Sequence, residues 1–304
     1  MTWIAAMLCG LALPIFAQTP LAFTIDDVPR GSFLARNGHQ TPLLDTLEAL
    51  GVPADIFVNE GQVYQGDDPV ARFRVFARWV ASPLIGVHNH GFSHQRYSAI
   101  GLADYVPDIV RGAHLTRELS LRNKKKPVFF RFPYNDLGSD STQYHQMRRA
   151  LDSLGYRIAP FTVESADWMW NALYRHHLEQ GDTTAARGVG EEYVAQTLRV
   201  LHHFDSLGRA QYGRRVAQIY LCHDNELNAD YAGTLIRAFQ ARDYQIVSLD
   251  EATRDPIYAQ PDVYYQKWGI SWFYRWMTDA AERKRLLRAE PWPESLEVRF
   301  KALE

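Results

Sequence analysis

Cysteine is nearly absent, with Cys9 and Cys222 the two in 304 residues, so the chain cannot be a small disulfide-stapled scaffold. Charge imbalance is equally scarce. A formal net charge of −2 and a pI near 6.6 exclude nucleic acid as the main partner, and the one notable basic run, Lys124-Lys125-Lys126, directly precedes an apolar stretch and reads as a solvated loop. Internal repeats, low-complexity tracts and Pro/Gly/Ser-rich linkers are also missing, which argues against a repeat array or a second independent domain. The apolar segment Ile4 to Ala17 is too short to span a bilayer and ends in Ile15-Phe16-Ala17-Gln18, similar to a signal-peptidase site. No Lys or Arg precedes it, which leaves an uncleaved apolar N-terminus as the alternative, and Leu8 stands before Cys9 where lipid attachment wants a small residue, so no lipidation is expected. The expectation is an exported chain, periplasmic or extracellular, cleaved near Ala17 and without a membrane span in its mature form. Cleavage there leaves Cys222 with no intramolecular partner.

What the chain has in quantity is apolar residues, 46% of the total, enough to bury a sizeable core. From Leu21 onward, β-like apolar runs alternate with helix-like segments, the pattern of an α/β fold with a parallel sheet or barrel. The expected strands are Leu21 to Ile25, Ala54 to Val58, Leu84 to Val87, Val128 to Phe132, Arg157 to Phe161, Gln218 to Cys222 and Gln245 to Leu249. Helical spacing marks Thr41 to Leu50, Pro69 to Val80, Ala103 to Leu121, Thr142 to Leu154 and Tyr231 to Arg242. Asp167 to Leu207 is longer than a crossover needs. It reads as a helical insertion before the sixth strand, two helices with joints at Gln180-Gly181-Asp182-Thr183 and at a Gly188-Val189-Gly190 turn, covering one rim of the site. The aromatics Trp268, Trp272, Tyr274 and Trp276 open a C-terminal helical extension and read as packing groups.

Chemistry-bearing side chains gather at the ends of these strands. Asp26 and Asp27 close the first, His90 and His94 follow the third, Arg131 ends the fourth, Asp167 lies beyond the fifth and His223 follows the sixth. In a parallel barrel those ends share one face, so distant residues converge in one cleft. Two imidazoles four residues apart can reach one cation, and the adjacent aspartates offer a third ligand and a proton acceptor. Singly, each has a blander reading: a turn or cap for Asp26-Asp27, surface histidines for His90 and His94, a strand-end ion pair for Arg131, a helix start for Asp167, a core histidine for His223. Cys222 reads as a small buried hydrophobe facing away from His223, and His176-His177 and His202-His203 as helix-surface residues.

Five motifs in order give the chain a resemblance to the polysaccharide deacetylase family, the NodB-like carbohydrate esterases of family 4. Thr24-Ile25-Asp26-Asp27 resembles the first motif, Asn89-His90-Gly91-Phe92-Ser93-His94 the metal motif, Arg131-Phe132-Pro133-Tyr134 the third, Asp167-Trp168 the fourth and Leu221-Cys222-His223 the fifth. The resemblance implies a distorted (β/α)7-type barrel, in agreement with the seven strands counted, with a catalytic domain over 18–250 and an extension over 251–304 packed on it. It implies Asp27, His90 and His94 as ligands of a divalent cation, Zn²⁺ first with Co²⁺ or Ni²⁺ as alternatives, and Asp26 as the general base. It further implies that Arg131 orients Asp26, that the Tyr134 backbone N–H stabilises an oxyanion, that His223 is the acid held charged by Asp167, and that Trp168 and Leu221 wall the acetyl methyl group.

The implied function is metal-dependent removal of N- or O-linked acetyl groups from a glycan or oligosaccharide. Tyr134, Trp168, Trp170 and Tyr174 are candidate stacking surfaces for sugar rings, without telling one glycan from another. Three positions depart from the family pattern: Val28 and Asn135 stand where glycine is usual, and His88 is an extra imidazole near the metal motif, either a support for the ligands or a space filler. An inactive carbohydrate-binding protein on the same barrel is the competing reading. A two-histidine, one-carboxylate iron oxygenase also fits three ligands but leaves Asp26, Arg131 and His223 idle.

Overall fold

The computed structural model describes residues 18–30, 33, 36–66 and 68–303; the expected export segment 1–17 and Cys9 lie outside them. Eight strands form one parallel sheet: β1 (Thr19–Val28), β2 (Ala54–Val58), β3 (Ile85–Asn89), β4 (Phe129–Phe130), β5 (Arg157–Ile158), β6 (Val163–Glu164), β7 (Gln218–His223) and β8 (Tyr244–Val247). Seven of them follow the curled path β5-β4-β3-β2-β1-β7-β6, and β8 pairs with β1. This is the parallel α/β architecture that the alternating pattern predicts, in the distorted (β/α)7-type half-barrel form that the resemblance implies. Strands buried on both faces carry continuous apolar runs, and β2 is buried at all five positions.

The ten-residue β1 is the hub. One of its edges runs along β7, while the other is shared between β8, at Thr19 to Ala22, and β2, from Thr24 onward. The fifth expected strand is in fact two. Pro160 has no N–H for the ladder, and it falls between β5 and β6, which lie at opposite ends of the strand order. The C-terminal segment attaches there: Ser271 Oγ donates to Thr162 O (2.7 Å) and Trp272 N to Phe161 O (3.0 Å), with the Trp272 ring against Phe161. Arg275, fully buried in the same segment, is paired with Asp262 at 2.6 Å.

Helices fall near their expected bounds, with two corrections. The Ala103 to Leu121 segment is two helices, Tyr97–Arg111 and His114–Arg122. The insertion is two helices, Asp167–Glu179 and Thr183–Tyr212, and no turn occurs at Gly188-Val189-Gly190, which lies inside the second. Gly190 serves close approach instead: a Cβ there would sit 2.0 Å from the Tyr231 ring. In the basic run, Lys125 is half-buried and donates to Ser82 O (2.5 Å) and Ile85 O (2.7 Å), and burial pushes its pKa down to about 8. Among the described residues no helix is long and apolar enough to cross a membrane.

Candidate active site

Consecutive strand residues point to opposite faces, yet Asp26 and Asp27 both line one cavity of about 440 Å³. The backbone resolves the conflict. Asp27 takes φ +63°, a left-handed conformation that short polar side chains tolerate best, and the β1–β2 register shifts between Ile25 and Val28. Parallel pairing then sets Asp26 beside His223, its partner in register on β7.

Asp26 is buried, and its Oδ1 accepts from Arg131 Nη1 at 2.9 Å. Arg131 is fully buried as well, donating also to Thr24 Oγ1 (2.7 Å) and Pro160 O (2.9 Å), with its guanidinium carbon 4.1 Å from the Phe57 ring centroid. Three directed bonds fix the guanidinium and hence the carboxylate it faces.

Asp27, His90 and His94 present one ligand atom each within 4.8 Å of one another. His94 Nε2 lies 3.1 Å and His90 Nε2 3.6 Å from Asp27 Oδ1, and that buried oxygen has no hydrogen-bond donor of good geometry. His90 Nδ1 sits 2.8 Å from the Arg131 carbonyl, which only accepts, so the proton is on Nδ1 and the bare Nε2 faces Asp27. Burial, partly opposed by Asp26 and Asp27, keeps the His90 pKa below its ordinary value and the ring neutral. Burial pushes the Asp27 carboxyl up, but His94, His90 and His223 together hold it well below the usual range. A neutral imidazole with its outer nitrogen anchored, an ionised carboxylate and a second imidazole are the donor set of a three-ligand divalent cation site.

The loop carrying these ligands is tied down from outside. Asp108 accepts from Phe92 N (2.9 Å), Ser93 N (3.1 Å) and Ser93 Oγ. Asn89 Oδ1 accepts from Gly91 N (2.7 Å), and Gly61 N donates to Phe92 O (3.1 Å). Gly112 makes the close approach that brings Asp108 near: a Cβ there would stand 2.4 Å from the Gly91 carbonyl carbon.

Across the cavity, His223 Nδ1 is 2.7 Å from Asp167 Oδ1, and His223 N donates to Asp167 Oδ2 at 2.9 Å. Asn225 Nδ2 (2.9 Å) and Asn228 Nδ2 (2.6 Å) donate to the same Oδ2. Burial alone pushes His223 down, but the Asp167 charge and hydrogen bond outweigh it and raise the imidazole to about 9. Burial likewise pushes Asp167 up, and the His223 and Asn225 contacts hold it below its ordinary value. The result is an imidazolium at neutral pH with Nε2 left for other work.

Of the remaining candidates, Leu221 lines the cavity from β7, and Tyr134 and Trp168 line it while staying about half exposed. Tyr134 and Asn135 both have positive φ (58° and 49°), which accounts for a residue as permissive as Asn at 135. The Tyr134 ring packs on His94 and under the Arg96 guanidinium. Trp170 and Tyr174 are not stacking surfaces, because both are buried in the core and Tyr174 Oη donates to Asp230. His88 is outside the ligand set: its Nε2 lies 2.9 Å from Asp55 Oδ1, with the ring against Phe129 and Phe57, so it fills the barrel interior. Cys222 is fully buried, as expected. His203 is half-buried, with Nε2 3.0 Å from Tyr274 Oη.

Sequence reasoning missed Asp108, Asn225, Asn228 and Glu164. Asn225 carried a signal, since it caps the helix Glu226–Gln240 by accepting from Asn228 N. Asp108, in the last turn of the helix Tyr97–Arg111, and Asn228, in the first turn of the helix that Asn225 caps, carry no local mark of these roles. Glu164 lines the cavity from β6, and burial together with the Asp167 charge pushes its pKa up to about 7.

Residues 16–159 match the family model of the polysaccharide deacetylases, while comparison with curated proteins gives no match. Among solved structures the chain is similar to a mutant of a Bacillus anthracis family 4 pseudoenzyme with restored enzymatic activity, at 17% identity and TM-score 0.52, over 77% of this chain and 67% of that one. It is similar to a peptidoglycan N-acetylglucosamine deacetylase at 18% identity and TM-score 0.51, over 77% and 88% of the two chains. It is also similar to a family 4 acetyl xylan esterase from Clostridium thermocellum in complex with cobalt, at 19% and 0.51, over 78% and 91%. At these identities the likeness establishes a shared fold.

Proposed function

Over residues 16–159 this chain belongs to the polysaccharide deacetylase family, and on that premise we propose that it is a metal-dependent hydrolase removing N- or O-linked acetyl groups from a glycan or oligosaccharide. The observation that carries the metal dependence is the Asp27 carboxylate oxygen, buried without a donor and faced by the Nε2 atoms of two histidines. Asp27, His90 and His94 would hold the cation, Zn²⁺ or else Co²⁺ or Ni²⁺. When bound, it supplies Lewis acidity, lowering the pKa of a water and polarising the acyl carbonyl.

The protein groups divide the remaining work. Asp26, fixed by Arg131, takes the proton of the attacking water. The Tyr134 N–H donates to the oxyanion of the tetrahedral intermediate. His223, carried as imidazolium by Asp167, gives its proton to the departing amine or alcohol, while Leu221 and Trp168 enclose the acetyl methyl group. Asp167, Trp168, Leu221 and His223 lie beyond the segment that the family model matches, so the part of Trp168, Leu221 and His223 in the reading rests on their position in the cavity, and that of Asp167 on its hydrogen bond to His223. The N-terminal apolar segment ending at Ala17 fits export to the compartment where wall polymers and free oligosaccharides occur.

The test is acetate release from acetylated chito-oligosaccharide and acetylated xylan by protein stripped with chelator and then reloaded with Zn²⁺ or Co²⁺. Activity is expected only after reloading. Asp26→Asn should reduce it by about two to four orders of magnitude while metal content stays at one equivalent. Glycan binding without acetate release at every metal loading would instead establish an inactive binding protein.

A further inference from the structure

Glu164 is the one carboxyl among the described residues lining the cavity that the proposed chemistry leaves without a task. It stands on β6 in register with Leu221 of β7, beside the wall assigned to the acetyl methyl group. Its Oε1 accepts from Ala166 N at 2.7 Å, in the turn that starts the helix Asp167–Glu179. Its second oxygen takes no hydrogen bond from the described residues and is not sealed away from solvent, and the residue is part of the cavity lining.

Two features beside it define what it would meet. Trp168, 45% exposed, lines the same cavity, its ring braced edge-on by Phe300 at 5.2 Å between centroids. A flat aromatic face next to a carboxyl matches a saccharide, which presents an apolar C–H face and a rim of hydroxyls. Burial, together with Asp167 and Asp26 and opposed only in part by Ala166 N and His223, disfavours a further bare negative charge here, so the open oxygen is best served by a neutral group that both donates and accepts. A hydroxyl does both.

We propose that Glu164 binds a hydroxyl of the sugar ring carrying the acetyl group, and so selects saccharides over simple acetyl esters. The proposal rests on the deacetylase reading and names the group that recognises its substrate class. The competing role for Glu164 is structural, the support of Ala166 alone.

The metal-loaded full chain and its Glu164→Ala and Glu164→Gln variants are assayed on an acetylated chito-oligosaccharide and on p-nitrophenyl acetate, which has no sugar hydroxyl. Loss of one hydrogen bond to a charged or polarised group should raise the oligosaccharide KM about tenfold or more in Glu164→Ala, with kcat little changed and both constants for p-nitrophenyl acetate unchanged. Glu164→Gln, which keeps an oxygen for Ala166 N and a polar group in the cavity, should recover most of the loss. Equal losses on both substrates, or an unchanged oligosaccharide KM, overturn the proposal. If the parent protein hydrolyses neither substrate, the deacetylase reading has failed separately, and calorimetric binding of the oligosaccharide decides. Weakening of about tenfold in Glu164→Ala supports the assignment, whereas equal binding by both proteins, or none by the parent, refutes it.

Discussion

Replacing Asp167 with asparagine removes the charge that keeps His223 protonated while nearly preserving shape. His223 stands at about 9 against an ordinary 6.5, and its side chain is 19% exposed while that of Asp167 is 1% exposed, so solvent screens the pair weakly. Returning the imidazole toward 6.5 corresponds to roughly 3 kcal/mol of lost ion-pair stabilisation. At pH 7.5 the protonated fraction of His223 then falls from nearly all to about one tenth. The assay is the pH profile of kcat for acetate release. In the parent, activity should persist until His223 loses its proton, at or below about 9 because a bound cation offsets the pull of Asp26 and Asp27. In Asp167→Asn the basic limb should move down by about two pH units and kcat at pH 7.5 should drop about tenfold or more. Urea unfolding gives an activity-independent check. A histidine whose folded pKa is raised contributes stability that is fully present below 6.5 and lost as pH rises through about 9. The lowered Asp167 carboxyl contributes above its ordinary 3.8 and loses that as pH falls. The stability gap between parent and variant should therefore be widest between about pH 4 and 6.5 and narrow by about 3 kcal/mol at pH 10. An unmoved basic limb together with a pH-independent gap would show that Asp167 is not what charges His223.

Arg131→Met leaves Asp26 buried without its partner and should cost about 3–5 kcal/mol in urea unfolding; adding Asp26→Asn should restore much of that, whereas strictly additive losses would deny the coupling. Gly112→Ala forces a methyl into the Gly91 carbonyl, 2.4 Å away, and should lower stability by about 1–3 kcal/mol and weaken Zn²⁺ binding measured by competition with a chelator. Unchanged zinc affinity in that variant would mean that the packing behind the His90–His94 loop does not position the ligands.

The site was legible wherever chemistry coincided with a strand end. Asp26, Asp27, His90, His94, Arg131 and His223 could be read because parallel strands deliver their C-terminal ends to one face, a rule that needs only the order of the runs. Exposure could not be read. Trp168, Trp170 and Tyr174 look alike along the chain, yet one lines the cavity and two are core, because helix facing is set by what packs against it. The Gly188-Val189-Gly190 triplet has turn composition but is helical, since Tyr231 requires a residue without a side chain at 190 and tertiary packing overrides local propensity.

By itself the sequence determined the α/β alternation, the gathering of carboxylates, imidazoles and an arginine at strand ends and the identity of the ionisable groups, because these follow from residue type and spacing. Only the tertiary structure decided that Asp27 turns through a positive φ to join two histidines while Asp26 meets Arg131. It also decided that Asn225 and Asn228 join His223 on one oxygen of Asp167, and that Glu164 lines the same cavity. Those outcomes depend on through-space neighbours, and burial with its fields sets the charge each group carries.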